Sequence, residues 1–371
     1  MTPLRRKTRQ IRIGQIPIGG DAPIAVQSMT NTDTRDVTRT VAQIQTLARA
    51  GCEIIRVAVP DLEAARAIAA IRAQIPIPLI ADIHFDARLA VASMEHGAQA
   101  IRINPGNLGG RDKLQRVVDA ARQHQVPIRV GVNAGSLDKE ILARHGHPGA
   151  AALVESALAN IRLLEAMRFS DIKISIKSSD PMTTVAAYRL LADRTDHPLH
   201  LGVTEAGGLI AGTVKSAVAL GILLAEGIGD TFRISLTRDP VDEVRVGWEL
   251  LRSLRIRSRG PELISCPTCG RCEIDLFRLA GEVESRIQTM EAPVRVAVMG
   301  CVVNGPGEAR EADIGVAGGK GVGLLFAHGE RIKKLSEEAL LPTLLAELDR
   351  IESEHQAAKA AATDKDSTPK S

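Results

Sequence analysis

Short β-branched and aliphatic runs alternate, over the first 255 residues, with longer stretches whose apolar side chains recur every third or fourth position. The short runs are Ile24–Met29, Glu53–Val59, Pro78–Ile83, Ala100–Asn104, Pro127–Asn133, Asp171–Lys177, Leu199–Glu205 and Thr231–Thr237. The longer ones include Val37–Ala50, Leu62–Gln74, Lys113–His124, Leu153–Met167, Val185–Arg194 and Val241–Leu254. Continuous apolar runs of this length read as strands buried on both faces, and the wider spacing reads as one buried face of a helix. Strands separated by helices pair in parallel, so eight repeats predict an α/β fold, a (β/α)8 TIM-type barrel. A doubly wound open sheet would carry Gly-x-Gly-x-x-Gly after its first strand, and the chain has none there. Before the first repeat, Arg9–Pro23 turns at Gly19-Gly20-Asp21 and predicts a hairpin capping the barrel floor.

The repeat breaks near Arg255–Pro261. From about Glu262 to Glu354 the pattern predicts a small α+β domain, with a helix over Ile274–Met290 and a strand over Val294–Met299 between two glycine-rich loops. Ala357–Ser371 has no periodicity and is predicted to be disordered. The expected domains are therefore 1–255, 256–356 and the tail 357–371.

Composition narrows the function classes. At 44% hydrophobic and 25% charged the chain is an ordinary globular protein. Aromatics are 2%, with one Trp and one Tyr, and the net charge is +3, so a nucleic-acid partner is not expected. No run of 18 apolar residues suits a membrane span, and the basic Met-Thr-Pro-Leu-Arg-Arg-Lys start lacks a signal peptide's apolar stretch. A reducing, cytoplasmic location is the expectation.

That setting bears on the cysteines. Four of the five fall between Cys266 and Cys301, while Cys52 stands alone and reads as core. Cys-Pro-Thr-Cys-Gly-Arg-Cys holds Cys266, Cys269 and Cys272, and Cys301 opens Cys-Val-Val-Asn-Gly-Pro-Gly-Glu. Thiols gathered in glycine-rich turns of a long chain without a leader hold metals or clusters more often than they make disulfides. Zinc needs a second Cys-x2-Cys, or Cys272 as a third thiolate from one loop. A redox Cys-x2-Cys leaves Cys301 unexplained. An iron–sulfur cluster fits Cys-x2-Cys-x2-Cys with a distant fourth ligand, and on spacing alone nominates Cys272 beside Cys266, Cys269 and Cys301.

The barrel strands contain a second anomaly. Arg56, Arg102, Arg129 and Lys177 lie in runs that should be wholly apolar, along with Asp82, Glu205 and Ser235. An internal layer of ion pairs would neutralise only some of these cations, because Asp82 and Glu205 are outnumbered. An external anion balances the rest, and guanidinium forks suit a phosphorylated or diphosphorylated small molecule. Gly106, Asn107 and Gly135 in the following loops offer backbone donors. His84 serves equally as proton donor or structural hydrogen-bonder, and Lys173 with Lys177 leaves open an imine-forming lyase carrying a structural zinc module. An electron carrier or cluster scaffold is the non-enzymatic alternative.

Val-Gln-Ser-Met-Thr-Asn-Thr (26–32), Arg-Ile-Asn-Pro-Gly-Asn (102–107), Ser-Cys-Pro-Thr-Cys (265–269) and Met-Gly-Cys-Val-Val-Asn-Gly-Pro-Gly-Glu (299–308) resemble the 4-hydroxy-3-methylbut-2-enyl diphosphate synthase family in its two-domain bacterial form. The likeness runs from about Ile11 to about Lys334. It implies a [4Fe–4S] cluster on Cys266, Cys269, Cys301 and Glu308, which sets Cys272 aside as a neighbour. It further implies reductive ring opening of 2-C-methyl-D-erythritol 2,4-cyclodiphosphate. Arg56, Arg102, Arg129, Asn133, Lys177 and Ser235 would hold the diphosphate, Glu205 would handle protons, and Asn304 would sit by the cluster. Reduced flavodoxin or ferredoxin would supply electrons, and a homodimer would share its sites between subunits.

Overall fold

The computed structural model describes residues 4–301, 307, 310–319 and 321–366. The chain divides into two compact units, Met1–Arg257 and Ser258–Ser371.

In the first unit a short antiparallel hairpin, β1 (Ile11–Ile13) and β2 (Ile16–Ile18), precedes the barrel. The barrel strands are β3 (Ala25–Met29), β4 (Ile54–Ala58), β5 (Leu79–Asp82), β6 (Ala100–Ile103), β7 (Ile128–Asn133), β8 (Ile172–Lys177), β9 (His200–Leu201) and β10 (Thr231–Phe232). They pair in parallel in the order β8-β7-β6-β5-β4-β3-β10-β9, and a parallel bridge between Ile174 and Leu199 brings the two ends together. The expected (β/α)8 barrel is the observed one.

Alternation along each strand divides the core. Ile55, Val57, Ile101, Ile103, Ile172, Ile174 and Ile176 belong to the large apolar layer shared with the helices. Ala25, Ile54, Ile80 and Ala100, near the strand starts, pack instead with Ile11, Ile13 and Ile18 of the hairpin. The hairpin therefore plugs the barrel floor and closes that end with aliphatic side chains. At the other end, Asp36, Asp61, Asp86, Asp180 and Asp239 accept backbone N–H bonds and start the helices that follow β3, β4, β5, β8 and β10. These caps fix where the loops on the strand C-terminal side end.

The last two barrel strands are shorter than their sequence runs. Arg233 N–H still donates to Leu201 O at 3.1 Å, but Glu205 (φ +52°) and Gly207 (φ +105°) turn the chain away soon afterwards. Three barrel helices that periodicity did not disclose are Ala87–Glu95, Lys139–His145 and Leu209–Ala225. The last is apolar nearly all round, so it has no polar face to create a period.

The second unit is a mixed five-stranded sheet, β11 (Glu262–Ser265), β12 (Arg295–Met299), β13 (Ile314–Gly319), β14 (Val322–Ala327) and β15 (Glu330–Ser336), in that order. β11, β12 and β13 run parallel, and β14 and β15 return antiparallel. Helix Leu276–Ile287 and the start of helix Glu337–Asp366 bury Leu279, Val283, Leu340, Leu344 and Leu348 against the sheet. The tail expected to be disordered from Ala357 instead continues this helix to Asp366. Alanines at 357, 358, 360 and 361 favour helix on intrinsic propensity, and Lys359 Nζ meets Glu291 Oε2 at 2.6 Å. No helix among the described residues is long and apolar enough to cross a membrane.

Candidate active site

Above its aliphatic floor the barrel interior becomes charged. Asp82, Arg102, Arg129 and Lys173 face one another in register across β5, β6, β7 and β8. All four are buried. Along β8 the inward series is Lys173, Ser175 and Lys177, interleaved with Ile172, Ile174 and Ile176 of the apolar layer. A period-two strand thus carries one charged face and one aliphatic face.

Among the described residues Asp82 is the carboxylate paired at the centre of this group. It pairs with Arg102 Nη1 at 3.2 Å, Arg56 Nε at 3.6 Å and His84 Nε2 at 3.7 Å. Burial alone would raise its pKa, but Arg56, His84, Arg102 and Arg129 outweigh that and hold the carboxyl well below its ordinary value. Burial pulls Arg56 down to about 10, with Asp82 opposing. Removing the carboxylate leaves two buried guanidiniums without their counter-charge. Asp82→Asn should therefore cost on the order of 3–5 kcal/mol, read as a lower urea midpoint. A midpoint within error of the parent would mean that Asp82 does not hold the cations together.

Arg129 is placed differently. It forms no ion pair among the described residues, and its Nε and Nη1 lack hydrogen-bond partners, as does Arg102 Nε. Burial, followed by the charges of Arg56 and Arg102, drives the Arg129 pKa well below its ordinary value. Lys177 is lowered in the same way by burial first, then Arg129 and Arg56. Two glycines give these cations room. A Cβ on Gly131 would lie 2.4 Å from Arg102 Nε, and one on Gly202 would lie 2.5 Å from Lys177 Nζ.

The other candidates sit nearer the rim. Asn133, half-buried, is paired in register with Lys177, and Ser235 is half-buried just beyond β10. Glu205 is exposed in the loop after β9, in the left-handed backbone region that non-glycine residues seldom occupy. Arg233 joins the group and was missed from the sequence. Its Nη1 lies 3.5 Å from Met29 Sδ, the sulfur that Arg56 Nη2 approaches at 3.0 Å. The signal was available, since Arg233 stands two residues before Ser235 on the same strand parity.

In the second unit Cys266 and Cys301 follow two adjacent parallel strands. Cys266 follows β11 and donates its N–H to Val298 O at 3.1 Å, and Cys301 lies two residues beyond the end of β12. Cys301 is buried, Cys266 half-buried and Cys269 exposed, and no cysteine forms a disulfide. Cys272 is packed inward. A Cβ on Gly300 would lie 2.5 Å from its Sγ, which donates to Ile274 O at 3.3 Å. Among the described residues no three His, Cys, Asp or Glu side chains are gathered as a metal site. Asn304 and Glu308 lie outside the described residues. The donor set fits an iron–sulfur cluster, because thiols from two loops open from the same end of one sheet.

Fold and site together define a TIM-barrel protein with a cation-lined interior and an appended cysteine-bearing α+β unit. The GcpE TIM-barrel domain matches residues 8–248, and the GcpE protein C-terminal domain matches residues 262–350. The chain belongs to the GcpE family. It is 65% identical over 355 residues to a 4-hydroxy-3-methylbut-2-en-1-yl diphosphate synthase (flavodoxin) of Desulfotalea psychrophila, covering 95% of this chain and 98% of that one. A protein of the same name from Geobacter sulfurreducens is 61% identical over 348 residues, covering 94% and 99%. The zinc-bearing lyase alternative finds no support in these relatives.

Proposed function

We propose that this chain converts 2-C-methyl-D-erythritol 2,4-cyclodiphosphate to 4-hydroxy-3-methylbut-2-en-1-yl diphosphate, the product named for its relatives. The observation that carries this reading is Arg129, buried with donors the protein leaves unused. In the reaction two electrons and two protons enter. The bond from the ring diphosphate to C2 breaks, the C3 hydroxyl leaves as water, and the C2–C3 double bond forms. Arg56, Arg102, Arg129 and Lys177, with Asn133 and Ser235 at the rim, hold the diphosphate and take up the charge released when the ring opens. Glu205 is the proton-handling carboxylate, exposed on the turn that follows β9.

Cys266, Cys269, Cys301 and Glu308 would hold a [4Fe–4S] cluster, with Asn304 beside it. When bound, such a cluster supplies single electrons and a Lewis-acidic iron. On this reading the barrel, 1–255, binds substrate and 256–356 carries the cluster. Reduced flavodoxin is the electron donor, consistent with the names of the relatives. The protein works in the reducing cytoplasm as a homodimer. Ile210, Val214 and Val218 form an exposed apolar stripe at four-residue spacing on one barrel helix, which suits a second copy.

Anaerobic purification tests the reading. About four iron and four sulfide per chain, with turnover of the cyclic diphosphate by reduced flavodoxin, is expected. One zinc without sulfide would sink it. Lys177 adds a pH signature. Its native pKa is lowered while the unfolded chain titrates near 10.5, so the unfolded state binds more protons between those values. Its contribution to the stability of the ligand-free protein therefore rises with pH across that window. Diphosphate raises the lysine pKa again, so binding takes up protons where the assay pH lies between the free and bound values. Calorimetry in buffers of different ionisation enthalpy reads that uptake, and Lys177→Met should abolish most of it.

A further inference from the structure

Arg233 does not hold its own place. Its guanidinium is gripped by Glu243, from helix Pro240–Ser253, through Nε to Oε2 at 3.0 Å and Nη2 to Oε1 at 3.0 Å. The same carboxylate accepts the Ser28 hydroxyl on Oε2 at 3.1 Å and the Leu236 amide on Oε1 at 3.1 Å. Each oxygen thus receives two donors, and Glu243 is 3% exposed, so the carboxylate has one orientation available. The grip occupies the Nε–Nη2 edge. It leaves Nη1 toward Met29 Sδ, where Arg56 also converges.

Two guanidiniums against one sulfur repel each other. Arg56 is restrained by Asp82, and Arg233 by Glu243. A buried ion pair is not needed for stability, since apolar replacements of similar volume serve as well. The oriented edge therefore has another use. We propose that Glu243 is a positioning residue for diphosphate binding, which fixes Arg233 so that its Nη1 edge and Arg56 meet one phosphoryl group together. This rests on the functional reading above and names a residue outside the mouth on which it depends.

The test is equilibrium binding of inorganic pyrophosphate and of the cyclic diphosphate by calorimetry, which needs no electron donor. E243Q is isosteric and neutral, and should weaken both anions about tenfold, a loss of about 1.4 kcal/mol. R233M should weaken them by a similar factor, and R233M/E243Q no further than R233M alone. E243D, which keeps the charge, should recover part of the affinity, and it carries the comparison if E243Q does not fold. Binding by E243Q within twofold of the parent, or losses that multiply in the double variant, would overturn the inference while the functional reading stands. A parent protein that binds neither anion would overturn the functional reading and this inference with it.

Discussion

Arg129→Met should lose the diphosphate substrate and leave the barrel at least as stable as before. Arg129 is 3% exposed on β7, with Arg102 and Lys173 in register on either side. No carboxylate among the described residues pairs with it, and Nε and Nη1 have no partner. A cation in that position raises the free energy of the empty protein through lost hydration and through repulsion from Arg56 and Arg102. Methionine keeps the apolar stem, adapts to the space left and carries no charge, so the substitution removes the penalty. The same guanidinium offers a bound diphosphate two charge-assisted hydrogen bonds, worth roughly 1.5–3 kcal/mol each. Losing both should lower kcat/KM by roughly a hundredfold to ten-thousandfold. Thermal unfolding and substrate titration on one preparation check the two halves. Weakened binding with a collapsed melting temperature would make Arg129 a structural residue. Normal binding would remove it from the site. A function-bearing residue that destabilises its own fold is the combination expected where stability was exchanged for recognition.

How far the sequence discloses this site depends on the kind of signal each residue leaves. Arg56, Arg102, Arg129 and Lys177 stand out because a charge in an otherwise aliphatic parallel strand violates what burial allows. Arg233 follows only two residues of regular strand, so its inward parity was less conspicuous, although Ser235 beside it was picked out. Glu243 left no trace at all. On an amphipathic helix a glutamate reads as solvent-facing, and only the folded chain brings Arg233, Ser28 and Leu236 onto it. Helix Leu209–Ala225 escaped for the opposite reason, having no polar face to alternate with. The tail shows the limit of periodicity as a test. Ala357–Asp366 needs no buried face to be helical, because alanine favours helix and the preceding turns are already formed. The cysteine loops were legible in their spacing, but spacing alone ranks Cys272 with its neighbours. Its contact with Gly300 is a fact of three dimensions.

That contact separates the four clustered cysteines experimentally. Cys301→Ser and Cys266→Ser should each strip the protein of most of its iron and reduce turnover below about a thousandth of the parent, since serine oxygen is a poor substitute for thiolate at iron. Pyrophosphate binding to the barrel should survive both substitutions, because the cations that hold it lie on β4, β6, β7 and β8 within the first unit. Cys272→Ala should do the reverse. Its Sγ lies close to Gly300, donates to Ile274 O, and the residue packs on the apolar core of the second unit, so the change opens a small gap and costs about 1–2 kcal/mol of stability while iron and sulfide stay at parental levels. Iron content, acid-labile sulfide and thermal midpoint on the three variants decide the matter. Loss of iron from Cys272→Ala would restore it to the ligand set and displace Glu308. Iron retained in Cys301→Ser would take Cys301 out of the ligand set and leave the second loop without a metal to hold.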